Sequence, residues 1–306
     1  RLLTRCVRAA GMTTAGRLEP RLSITGSLDS PRVDGDVVVT DGELRLADPR
    51  VIVSDLSVRT VLTGTTARIT ELTGSANGGA VTGGGTVEYA SDQGLQAQLS
   101  TGIRGMAVEY PEGLRSELDA DLNFTFRAPP ATSSDAASGK LSGTVTVLRG
   151  AYREPMAVMT QLLATLRAQQ LAPDAESSPF LDALALDIRV ITDEDILVDN
   201  NYGRLQPGAD LRLVGTAQTP GMSGRAELRE GGQLFVGRNV YAVDSGTIDF
   251  SNPAAIEPVV NVQATTRAGG EDIEVTITGP AESPSVALRS TSAPELGQAE
   301  VASLLL

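Results

Sequence analysis

A spacing of glycine and proline recurs along this chain and limits it to a repeated β-hairpin unit. Gly26 is followed by Pro31, Gly35 and Gly42 at intervals of 5, 9 and 16 residues, and Gly215 is followed by Pro220, Gly224 and Gly231 at the same intervals. Gly143 and Gly150 repeat the second half of the pattern, and Gly279 and Pro284 repeat the first. The residues leading into the marks are strand-like: Leu22-Ser23-Ile24-Thr25-Gly26, Leu211-Arg212-Leu213-Val214-Gly215 and Val275-Thr276-Ile277-Thr278-Gly279. Strand, turn at proline, strand, turn at glycine is one unit used several times, the signature of an extended sheet built by repetition. The copies are irregularly spaced, so no strict solenoid period applies.

Between the marks the hydrophobic period is two. Val33, Val37 and Val39 share one strand face, and Leu44 and Leu46 follow Asp41-Gly42, a dipeptide that predicts a hairpin turn. Further rows are Val81, Val87 and Tyr89; Leu95, Ala97 and Leu99; Leu118, Ala120, Leu122, Phe124 and Phe126; Leu184, Leu186, Ile188 and Val190; Val260, Val262 and Ala264; and Ile273, Val275 and Ile277. Each has one apolar and one polar side, as a sheet with one wetted face requires. Residues 128–138 read as an exposed loop, and 172–180 as a second. The period changes to that of a helix in one place, at Met159, Leu162, Leu163 and Leu166, which predicts an amphipathic helix over 155–170. Val301, Leu304 and Leu305 form a helical stripe at the C-terminal end, with nothing after it to bury it.

Composition narrows the function classes. The chain has 306 residues, no histidine, no tryptophan and one cysteine, Cys6. Without histidine there is no serine–histidine triad and no imidazole metal ligand. One cysteine forms no internal disulfide or cysteine-rich zinc site. The net charge of −13 lacks the basic footprint that nucleic acid requires. No run of 18 apolar residues is present to cross a membrane as a helix. The carboxylate clusters Asp193-Glu194-Asp195, with Asp199 nearby, and Glu271-Asp272 are read as solvated turn residues, without the ligand spacing of a calcium loop or the roles of a glycosidase pair. No cofactor and no enzymatic activity are expected. The abrupt start at Arg1 and end at Leu306 read as a piece of a longer protein.

About fifteen one-sided strands and two helices leave much apolar surface to cover, and the inward residues are mostly Val, Leu, Ile and Ala. Small side chains fill a wide interior poorly. The fold expected is therefore all-β, a long curled single-sheet groove of repeated hairpins, lined by Val37, Val39, Leu122, Phe124, Leu186, Ile188, Val260, Val262, Val275 and Ile277. The alternative is a structural or adhesive β-solenoid with a filled core and no cargo.

A family resemblance follows from particular runs. Gly231-Gly232-Gln233-Leu234-Phe235-Val236-Gly237-Arg238-Asn239-Val240-Tyr241, Ser245 to Phe250, Ile256-Glu257-Pro258, Ile277 to Pro280, Leu197 to Asn201, Leu213 to Ala217 and Gln298 to Leu306 resemble the C-terminal domain of the TamB family. The match is dense over 184–306, and residues 20–155 look like AsmA-like glycine-rich repeats. The organisation expected is AsmA-like repeats over 1–155, a helix and loop over 156–183, and a TamB-type groove over 184–306. The resemblance implies a periplasmic part of a protein anchored in the inner membrane. It also implies an open β-taco, cargo of phospholipid acyl chains or nascent outer-membrane β-barrels, and a TamA-like or BamA-like barrel partner. Docking of that partner is expected at Val301, Leu304 and Leu305.

Overall fold

The computed structural model describes residues 12–27, 30–46, 50–90, 94–110, 113–130, 132–153, 179–236 and 238–305. The protein is all-β, with seventeen strands and two short helices among the described residues. The helix expected over 155–170 and Cys6 lie outside them. Contacts divide the chain into two units, the first of residues 1–147, 178–189 and 216–218 and the second of 148–177, 190–215 and 219–306.

Unit 1 is an antiparallel meander of β1 (Met12–Ser27), β2 (Ser30–Leu46), β3 (Val51–Thr63), β4 (Thr66–Ala76), β5 (Gly79–Ala90), β6 (Gly94–Glu109) and β7 (Leu114–Ala128), each hydrogen-bonded to the next. The first part of β8 (Ser138–Tyr152), helix α1 (Pro179–Asp182) and the start of β9 (Leu184–Asn200) complete it. Directly opposed residues share a face, so the register traces rows across the sheet. Val39, Val58, Leu72, Gly83, Thr101 and Leu122 form one row; Val37, Thr60, Ile69, Gly85, Leu99 and Phe124 form the next. Asn77 and Gly78, with φ of 45° and 87°, make the tight turn between β4 and β5, as an Asn-Gly pair favours. The Asn77 side chain also accepts the Ile52 N–H at 2.8 Å and donates to the Ala107 carbonyl at 2.8 Å.

Asp41-Gly42 is not a turn. β2 runs through it to Leu46, and the register slips between Val39 and Gly42. Asp41 has a φ of 51°, and Asp55 in the facing strand has 53°. Both belong to β-bulges, in which one strand carries an extra residue and bends. β1 also begins earlier than the sequence pattern marks it. Its described side chains are exposed on both faces, so no alternation announces it, and Pro20 is accommodated as prolines are on an edge strand.

Unit 2 contains β10 (Gly203–Leu205), β11 (Pro207–Gly215), β12 (Pro220–Leu228), β13 (Gln233–Val236), β14 (Asn239–Phe250), β15 (Pro258–Ala268), β16 (Glu271–Pro280), β17 (Ser285–Ser290) and helix α2 (Gln298–Leu304). Its apolar rows are also long: Pro207, Leu228, Gly246, Val262, Ile277 and Val286, then Ala209, Ala226, Ile248, Val260 and Gly279. The buried core sits at one end, where Tyr241, Ala264, Ile273, Val275 and Val301 cluster.

The repeated spacing is a hairpin repeated in three dimensions. Gly26 pairs with Pro31 and Gly215 with Pro220 at strand ends. Gly35 pairs with Leu22 and Gly224 with Leu211. A Cβ on Gly35 would lie 2.0 Å from the Arg21 carbonyl oxygen, on Gly143 2.0 Å from that of Asp121, and on Gly224 2.3 Å from that of Asp210. These three glycines have φ of 138°, 142° and 121°, where side chains are strained as well as crowded. Gly231 has a φ of 85° with open space around it. Gly224→Ala is therefore expected to destabilise the chain by about 2 kcal/mol or more, and Gly231→Ala by about 1 kcal/mol. Urea unfolding of both variants checks this; equal midpoints would refute the close-approach explanation.

Candidate functional site

The candidate site is the apolar face of each unit. In unit 1 that face carries Val37, Val39, Leu122 and Phe124, all half-buried, in adjacent rows. Gly83 and Gly85 stand in the middle of those rows and leave them without a side chain there. Lys140 Nζ pairs with Asp187 at 2.9 Å on the polar side, so strand alternation turns Leu186 and Ile188 to the apolar side. Ile188 is buried. Phe126 stacks near Phe124 with ring centroids 6.3 Å apart and meets Phe180 of α1 at 6.1 Å.

The described residues of unit 1 supply little cover for this face. Among them the buried apolar side chains are Ala76, Val81, Ala97, Ala120 and Ile188. The leucines and phenylalanines of the rows stay half-buried. A packed sandwich would bury its largest side chains first, because each contributes about 1.5–3 kcal/mol when fully buried. Here the largest are left partly open.

Unit 2 brings Val260, Val262, Val275 and Ile277 onto one face, and treats the two ends of it differently. Val275 belongs to the buried cluster and Val262 is also buried, whereas Val260 and Ile277 are half-buried. The cause is α2. Val301, expected on an exposed stripe, is 0% exposed against Ile273, also 0% exposed. Leu304 and Leu305 pack on the same cluster. The stripe is covered by the chain's own strands because β15 and β16 present an apolar end that the helix closes. Glu300 caps α2 by accepting the Gly297 N–H at 2.8 Å.

The run Arg238-Asn239-Val240-Tyr241 explains part of this closure. The Asn239 amide donates to the Leu305 carbonyl at 2.7 Å, across 66 residues. It satisfies a carbonyl that the helix leaves unpaired at its end. Tyr241 is buried beneath the helix, and burial raises its phenol pKa above the ordinary value, with an opposing hydrogen bond from Asn239. Arg238 is exposed in the turn between β13 and β14. The tie of this run to the C-terminal helix lies in no local sequence pattern.

The opposite faces are polar and laced by pairs directly across strands: Arg225 with Asp249 at 2.6 Å, Arg204 with Asp199 at 2.9 Å, Arg289 with Glu274 at 3.9 Å and Arg59 with Glu71 at 3.8 Å. Asp199, read from sequence as a turn residue, thus lies within β9. On unit 1 a shallow depression of about 550 Å³ lies over Gly84 and Gly102, bordered by Thr82, Ser100, Arg104 and Asp121. Arg104 and Asp121 bond each other at 2.6 Å across it. Of the acidic clusters considered, Glu271 accepts a short hydrogen bond from Ser292, Asp272 pairs with Arg267 at 3.7 Å, and Asp199 is held by Arg204. The Asp193 and Glu194 side chains lie outside the described residues. Among the described residues no group of three or more potential metal ligands converges.

Two outcomes are expected at the helix. Asn239→Ala should weaken closure by about 1–2 kcal/mol, read as faster hydrogen exchange at residues 301–305 with the amides of β16 unchanged. The raised Tyr241 pKa means that the folded state holds the phenol proton more tightly than the unfolded state. Its contribution is complete below the unfolded pKa and is lost as pH rises through the folded pKa. Alkaline unfolding monitored at the helix should therefore be steeper in the wild type than in Tyr241→Phe.

One family model matches the chain, described as the TamB C-terminal domain, over residues 4–153 and again over 67–306. The two matches overlap over residues 67–153. No curated protein matches the chain. The matched residues cover nearly the whole sequence, and the chain belongs to the TamB family.

Proposed function

We propose that this chain is a non-enzymatic periplasmic carrier whose apolar sheet faces hold phospholipid acyl chains in transit between the inner and outer membranes. Membership of the TamB family supports a part in outer-membrane assembly and lipid transport. The observation that carries the lipid reading is the half-buried state of Leu122, Phe124, Leu99, Leu72 and Val39 on the apolar face of unit 1. A methylene chain lying along such rows gains contact without any polar group to satisfy, and each buried methylene contributes about 0.8 kcal/mol. Gly83 and Gly85 leave room for it between larger side chains. Nascent barrel strands are less suited to this face, since a strand brings polar groups on every second residue. The filled-core solenoid is disfavoured by the same partly open leucines and phenylalanines.

Docking of a TamA-like or BamA-like barrel at the C-terminal end belongs to the same reading. Val301 is closed off in this fold, so contact would run through the exposed side of α2 and the neighbouring β17. A photocrosslinker at Glu300, which is exposed, should capture the barrel; products confined to the chain itself would count against docking there.

The carrier reading is tested by native mass spectrometry of protein purified without detergent. Bound phospholipid is expected on the wild type and about tenfold less on Phe124→Glu, because a carboxylate facing an apolar chain is costly to desolvate. Circular dichroism should be little changed, since Phe124 is half-buried rather than enclosed. Buried Ile188 and Val262 are unsuitable for this test, as a charge there would also disrupt folding. A wild type that takes up no lipid overturns the proposal.

A further inference from the structure

The β13–β14 hairpin of unit 2 carries exposed apolar residues on both of its faces. Leu234 and Tyr241 are paired and turn toward the core under α2. Val236 and Asn239, the next pair on that same face, lie nearer the tip, where Val236 is 59% exposed. On the opposite face Phe235 pairs with Val240, which is 52% exposed. Tyr202, 44% exposed, occupies the register position across from Phe235, and its carbonyl accepts the Phe235 N–H at 2.7 Å. Elsewhere on unit 2 the face bearing Val240 carries mainly polar residues, Asp249, Arg225, Glu274 and Arg289, with Val259, 39% exposed, opposite Asp249. Arg238 stands exposed at the tip between the two faces and pairs with no carboxylate among the described residues.

We propose that this hairpin tip is a shallow membrane anchor, inserted at the headgroup and glycerol level of a phospholipid bilayer. Two features favour a bilayer over a protein surface. A partner protein pressing on one side would require apolar residues on one face, whereas a wedge surrounded by lipid requires them on both. Arg238 supplies a cation that pairs with no carboxylate among the described residues, and a guanidinium matches lipid phosphate in a planar two-bond geometry. Tyrosine and arginine at the margin of an apolar tip are the chemistry of the bilayer interface. The chain's net charge of −13 opposes approach to an anionic surface, but it is screened beyond about 8 Å at physiological ionic strength, so the local contact decides. The proposal does not depend on carriage of acyl chains by the sheet faces.

The chain has no tryptophan, so Val240→Trp introduces a single reporter at an exposed site. With vesicles of phosphatidylethanolamine and phosphatidylglycerol, its emission is expected to shift to the blue and to be quenched most by lipids brominated near the carbonyl end of the acyl chain. Cosedimentation of the otherwise native chain with the same vesicles should fall at least fivefold in Arg238→Glu and in Val236→Ser. Val61→Ser, at another exposed valine, should leave it unchanged. Absence of any shift with vesicles overturns the anchor. A shift seen only with an outer-membrane barrel protein in detergent also overturns it and assigns the tip to a protein. Native mass spectrometry of the vesicle-free protein reads the carrier function separately, so one reading can fail while the other stands.

Discussion

The structure depends on one constraint, that directly opposed residues in an antiparallel ladder share a face, so an apolar row survives only while register is kept. A slip of one residue turns a whole strand over. The rows through Leu122 and Phe124 cross six strands without a break. They do so although several strands change phase on the way. β4 moves from Ile69 to Leu72 while β5 moves from Gly85 to Gly83. β6 moves from Ile103 to Met106 while β7 moves from Ala120 to Leu118. In unit 2, β14 likewise steps from Val243 to Gly246 against Ala264 and Val262. In each case a bulge absorbs the extra residue and restores the apolar side chain to its row. Bulges also bend the strands they occupy, so the device that preserves the face also curves it.

The two units use that face differently. Unit 2 closes one end with α2, and Ile273 and Val301 vanish from solvent there. The Asn239 bond to the Leu305 carbonyl holds the helix down. Unit 1 has only α1 at one margin among its described residues, with Phe180 touching Phe126. Its stability therefore rests on the ladders themselves and on polar ties such as Asn77, which links the β4–β5 turn to Arg50, to Ile52 of β3 and to Ala107 of β6 through three hydrogen bonds. A sheet held in this way keeps its backbone order without needing its large apolar residues buried, which is the condition for offering them to a ligand.

Much of this was legible in the sequence, and the failures share a cause. Alternation located the rows, and the proline–glycine marks located the hairpin ends at Gly26–Pro31 and Gly215–Pro220. Asp41-Gly42 misled because a positive φ is demanded by a bulge as well as by a hairpin turn, and the local sequence is the same for both. β1 was missed in part because a strand exposed on both faces needs no apolar side. The stripe at Val301 was legible as a helix face, but its cover is formed by β15 and β16, and no local signal connects them to it.

The sequence by itself determined that the chain is all-β, built of repeated hairpins with one apolar side, because a period of two and fixed glycine spacing are local properties of the backbone. Only the tertiary structure decided which apolar residues remain open. Val275 looks like Val37 and Val39 in sequence, yet it is buried in the cluster with α2 and they are half-buried. The difference lies in whether another element covers the row, and that is settled by contacts between residues far apart in the chain.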